Sequence, residues 1–108
     1  MYNSNEIFKQ LDEASRKWSE WEETTILVEE TKKAIYAKRF LDFKENCTIE
    51  EAKNKAYVSE EYQEAVKNYA KTEKQRLLAK LRYNNLDKLS IMRMQENKID
   101  LALTTRQS

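Results

Sequence analysis

Two clusters of basic residues carry whatever chemistry this 108-residue chain performs. Residues 31–44 hold Lys32, Lys33, Lys38, Arg39 and Lys44 against Asp42 alone. Residues 65–82 hold Lys67, Lys71, Lys74, Arg76, Lys80 and Arg82 against Glu73 alone. Tyr36, Phe40, Tyr69 and Tyr83 are interleaved with them. Cations that neutralise phosphates, set among rings that stack on bases, are the usual components of sequence-tolerant single-strand binding. The competing reading is a solvated charged face balanced by glutamates of neighbouring subunits. Other chemistries have little to work with. The chain has no histidine and one cysteine, Cys47, so the commonest general base and metal ligand are missing. No catalytic residue, metal site or cofactor is expected. Cys47 reads as a small connector residue, and a single cysteine fits a reducing, cytoplasmic setting.

These residues must be positioned without glycine or proline, since the chain has none, where average usage would supply roughly 8 and 5. Tight turns and sharp helix stops normally need those residues. The absence predicts an all-α fold of a few long helices in one domain. The spacing predicts a first helix over about 5–45, capped by Asn3 or Ser4, with an apolar stripe of Phe8, Leu11, Ala14, Trp18, Trp21, Thr25, Val28, Ile35 and Phe43. Leu27, Ala34, Ala37 and Leu41 would widen that stripe. Thr48-Ile49-Glu50-Glu51 matches a capping box and opens a short helix over about 49–56. Ser59 opens a second long helix over about 60–101, marked by Tyr62, Val66, Tyr69, Leu77, Leu81, Leu86, Leu89, Met92 and Ile99. Fraying is expected from Thr104 onward.

The expected architecture is a long antiparallel helical hairpin with the short connector helix at its tip. Folding about residue 53 would set Lys32 opposite Lys74 and Arg39 opposite Lys67. Charge is polarised along the chain: residues 1–30 carry a net of −5 and residues 67–108 a net of +6, which favours antiparallel contact between the ends. Wide apolar faces on two thin helices leave surface that one seam cannot cover, which predicts a homo-oligomer. Trp18 and Trp21, three apart, read as packing at the seam or at a subunit interface, since acidic neighbours would repel phosphate. Asn84 and Asn85 interrupt the apolar stripe, where a polar residue either fixes register or faces solvent.

Residues 27–93 resemble the UvsY-type recombination mediators of tailed bacteriophages. The resemblance lies in a long first helix ending in EETKKAIYAKRF, the connector TIEEAKNKA, the Ser59-Glu60-Glu61-Tyr62 helix start, the Leu77–Leu81 run, and Leu86-Asp87-Lys88-Leu89-Ser90 followed by Arg93. It implies helical hairpins assembled into rings in the bacterial host cell, binding single-stranded DNA without sequence preference. It also implies help in loading a recombinase onto DNA covered by single-strand-binding protein. Lys32, Lys33, Lys38, Arg39, Lys67, Lys71 and Lys74, with Arg76 beside them, would face DNA. Leu81, Leu86, Leu89 and Met92 would pack between subunits. The alternative is a structural or protein-interaction coiled coil that binds no nucleic acid, which the near-neutral net charge of +1 favours.

Overall fold

The computed structural model describes residues 4–107, with side chains for residues 5–104. The fold is the expected all-α hairpin: α1 (Ser4–Lys44), α2 (Ile49–Val58) and α3 (Glu60–Gln107). No described residue has a positive φ. The turn between α1 and α2 is therefore built without left-handed backbone, opened by the Asn46 amide donating to the Phe43 carbonyl at 3.2 Å. Thr48 ends it. Its extended backbone lets Oγ1 accept from the Glu51 amide at 3.2 Å, satisfying an amide that has no partner within the helix. One extended residue, Ser59, separates α2 from α3. Its hydroxyl donates to the Ala56 carbonyl (2.7 Å) and accepts from the Tyr62 amide (3.4 Å), closing one helix and opening the next. Both expected internal caps are present. The cap at Asn3 or Ser4 falls on side chains outside the described residues. α3 runs to Gln107, past its expected end at about residue 101.

The chain divides into two compact units. Residues 20–77 form one unit, in which the second half of α1 runs antiparallel to α2 and the first part of α3. The two chain ends, 1–19 and 78–108, form the other, again an antiparallel pair.

Side-chain contacts fix a register different from folding about residue 53. Lys55 of α2 places Nζ 3.2 Å from the Cys47 sulfur and 6.0 Å from the centre of the Phe43 ring. The connector helix thus lies beside the end of α1 and starts the returning arm. The turn itself is residues 45–48, so the pivot moves to about residue 50. Lys32 consequently meets Tyr69 rather than Lys74, and Arg39 meets Glu61 rather than Lys67.

The seams are lined by small residues. Ala52, Ala56 and Ala65 are buried in the first unit together with Thr25, whose hydroxyl returns to the Trp21 carbonyl at 2.7 Å. Ile7, Ala14 and Ser90 are buried in the second. Among the described residues no large side chain is completely enclosed. The expected α1 stripe holds in its middle, but Ile7 turns inward in place of Phe8, and Leu27 and Leu41 lie exposed. On α3 the change is greater. In the first unit the expected stripe holds at Tyr62 and Tyr69, which meet α1 beside Ala65 and Arg76. In the second the seam uses Tyr83 and Ser90. Leu77, Leu81, Leu89, Met92 and Ile99 of the expected stripe are exposed. Close approach of two helices selects small side chains, and larger ones are displaced to the flanks.

Replacing Thr48 by alanine should cost about 1 kcal/mol in urea unfolding through loss of the cap. Ala56→Leu, which overfills an enclosed seam position, should cost about 1–3 kcal/mol. Leu41→Ala, at an exposed site, should stay within about 0.5 kcal/mol.

Candidate nucleic-acid interface

The eight basic residues singled out in the sequence fall into two groups once their partners are known. Arg39, Arg76 and Lys33 are engaged by carboxylates. Arg76 sits at the α1–α3 seam, its side chain 21% exposed. It donates from Nη1 to Glu22 of α1 at 2.9 Å and from Nε to Glu73 at 3.0 Å. Glu73 lies three residues before Arg76, on the same face of α3. The hydrogen bond from Arg76 holds the Glu73 carboxyl below its ordinary range, against a small opposing effect of burial. Arg76 is raised in turn, first by Glu73 and then by Glu22. Arg39 pairs with Glu61 across the seam and with Asp42 at 3.7 Å on its own helix. Lys33 lies 3.5 Å from Glu30.

The remaining lysines are differently placed. Lys32 is half-buried with Nζ 4.4 Å above the centre of the Tyr69 ring, a cation–π contact that ties α1 to α3. Lys38, Lys67, Lys71 and Lys74 are exposed. Steps of four and three put Lys67, Lys71 and Lys74 on one face of α3. None of the three has a carboxylate within ion-pair distance among the described residues. That face turns away from the seam, where Ala65, Tyr69 and Arg76 contact α1.

Most of the interleaved aromatic rings are occupied elsewhere. Tyr36 and Tyr62 meet edge to face at 5.3 Å across the seam, and Tyr62 also lies 5.8 Å from Tyr57. Tyr69 lies under Lys32. Tyr83, in the unit made by the chain ends, stacks at 5.3 Å on Trp18. Tyr36, Phe40, Tyr69 and Tyr83 are all half-buried. The stacking component expected from the sequence is therefore drawn into the protein's own packing, and exposed lysine is what remains outside.

A groove of about 630 Å³ runs between α1 and α3 in the first unit. Val28, Ile35 and Ala65 form its apolar floor, and Glu60, Glu61 and Glu64 its acidic edge. The three glutamates are exposed, so the groove gives them no dry environment of the kind acid–base catalysis needs. Glu60 and Glu64 continue the four- and three-residue steps of Lys67, Lys71 and Lys74, so the acidic edge borders the lysine face at its N-terminal end. Among the described residues no cluster of three acidic, histidine or cysteine side chains is arranged to hold a metal ion. No described helix is long and apolar enough to cross a membrane.

The residues expected at a subunit interface also divide. Trp18 is half-buried at the seam, and Trp21 and Leu86 are half-buried as well. Leu81, Leu89 and Met92 are exposed. The partners that sequence reasoning missed are Glu22 for Arg76, Glu61 for Arg39 and Tyr62 for Tyr36. All three depend on the register across the seam, which spacing along one helix does not carry. The chain matches no known protein-family model, no curated protein and no solved structure.

Arg76→Gln should lower the urea midpoint at neutral pH by leaving Glu22 and Glu73 side by side without their cation. Because Glu73 is lowered in the folded state, its contribution is present above the ordinary glutamate range and lost as pH falls through the lowered value. The difference between wild type and Arg76→Gln should therefore shrink on acidification, as read by circular dichroism in urea from pH 7 downward.

Proposed function

We propose that this protein is a self-associating helical single-strand binder that holds the sugar–phosphate backbone along the lysine face of α3. The observation that carries the reading is the set Lys67, Lys71 and Lys74: three exposed cations on one helix face, none within ion-pair distance of a carboxylate among the described residues. Successive side chains on such a face rise about 6 and 4.5 Å along the helix, a spacing that a flexible single strand can follow by adjusting its backbone. Binding through phosphates alone carries no sequence information. The role in which such binding would serve is the loading of a recombinase onto strands covered by single-strand-binding protein. That assignment, and a place in phage recombination in the host cytoplasm, rest on the resemblance of residues 27–93 to the UvsY-type mediators.

Self-association is supported by the amount of surface left uncovered. Among the described residues, seventeen large apolar side chains are exposed. The same observation favours a second reading, a structural or protein-interaction module without nucleic acid. The two differ in what copurifies, since a protein-only module would show no excess absorbance at 260 nm.

Fluorescence anisotropy with labelled oligo-dT, titrated across salt, tests the proposal. Affinity should fall steeply as salt rises. Charge reversal of Lys67, Lys71 and Lys74 together should flatten the slope of log affinity against log salt by about 2, at about 0.7 per single-strand phosphate. The triple variant should keep the assembly mass of the wild type in light scattering. No binding at low salt, or an unchanged slope in the triple variant, overturns it.

A further inference from the structure

The outward face of α3 in the unit formed by the chain ends carries a second apolar stripe. Leu78, Leu89, Met92, Ile99 and Leu103 are all exposed, Ile99 at 60% and Met92 at 55%. With Arg82, Asn85 and Glu96 they complete an unbroken series of alternating three- and four-residue steps from 78 to 103. That series is the heptad pattern of a coiled-coil seam. It is distinct from the intrachain seam, which in this unit uses Tyr83 against Trp18, with Ser90 buried beside it.

We infer that this stripe pairs with the same stripe of a second copy, antiparallel about a two-fold axis between residues 90 and 91. The inference rests on the reading that the chain self-associates and says where and how. The polar positions decide the orientation. In a parallel in-register pair, Glu96 faces Glu96 of the second copy and Arg82 faces Arg82, two like-charge layers inside a seam. In the antiparallel register neither like-charge layer forms. Leu78 meets Leu103 of the second copy, Leu89 meets Met92, and Asn85 meets Glu96, whose carboxylate can accept from the amide. Arg82 packs its stem on Ile99 and reaches the same carboxylate one turn away. Two-fold symmetry makes each of these contacts twice. The paired length is about 26 residues, roughly 39 Å. Asn85, which interrupts the apolar series, thereby acquires a function in setting register.

Single-cysteine variants in a Cys47→Ala background test the geometry. Leu78→Cys and Leu103→Cys should each fail to cross-link alone under mild oxidation and should form a disulfide-linked pair when mixed. Cross-linking of either variant with itself overturns the antiparallel register. Charge supplies a second, independent measurement. Glu96→Arg should weaken association at least tenfold, and Arg82→Glu in the same chain should restore most of the loss, because the exchanged pair still attracts only in the antiparallel arrangement. Circular dichroism monitors the fold throughout, and all four sites are exposed. Wild type that is monomeric at high concentration in light scattering overturns self-association and this inference together. Wild type that associates, with Met92→Lys of unchanged mass, overturns the stripe and leaves self-association standing.

Discussion

Everything in this molecule follows from how closely the two arms approach. Alanine, threonine and serine occupy most of the enclosed seam positions, Ala52 and Ala56 with no exposed area at all. A seam made of methyl and hydroxyl groups brings helix backbones near each other, with good van der Waals contact between them. It leaves no interior volume for leucine, methionine or tryptophan. Large side chains are then only half-buried where they meet across the seam, as Trp18 does Tyr83, or they face outward. A chain with 40% hydrophobic residues thus folds with few of its large ones enclosed. Stability from burial is correspondingly limited at about 25 cal/mol per Å², and caps, aromatic pairs and ion pairs make up a larger share than in a globule.

The same close seam sorts the charges. Cations near it find carboxylates of the opposite arm: Arg76 with Glu22, Arg39 with Glu61. Exposed pairs contribute little, but a bidentate arginine shared between two glutamates, part-buried at a seam, also dictates which residues lie level with one another. Lysines on the outer face of α3 meet no such partner. The division between structural and available cations is therefore set by angle around the helix rather than by position in the sequence. An apparently uniform run of basic residues contains both kinds.

The helices and both internal caps were legible in the sequence, because missing glycine and proline, apolar periodicity and the Thr48 and Ser59 signatures are all local. Register was not. Whether α2 belongs to the turn or to the returning arm depends on Lys55 lying against Phe43 and Cys47, a contact that no periodicity encodes. Moving the pivot by about three residues shifted the neighbour of Lys32 by five, from Lys74 to Tyr69. The α3 seam beyond Tyr69 was misplaced for a related reason. Leucines at 77, 81 and 89 give the stronger apolar signal, yet the enclosed face follows Ala65, Tyr83 and Ser90. Periodicity finds an apolar stripe, and it does not say which of two stripes meets the other arm. Of the candidate site, the lysines could be listed from sequence. Their separation into paired and unpaired groups could not, and the loss of the tyrosines to internal packing gave no sequence signal.

The four-residue turn next to a capped helix also sets an order of events. Contacts in the first unit lengthen steadily with distance from the turn. Cys47 and Lys55 are 8 residues apart, Arg39 and Glu61 are 22, and Glu22 and Arg76 are 54. Closing a short loop costs less chain entropy than closing a long one. Each contact made nearer the turn shortens the loop that the next must close. The chain can therefore fold as a zipper, nucleated at Thr48 and closing toward the two termini. On a ribosome, all of α1 emerges before any of α3 exists to meet it, so Ile7, which lies beside Ser90 and Met94, waits longer for its cover than Trp18 does for Tyr83. The fold is then completed at its least local contacts, those between the ends of the chain.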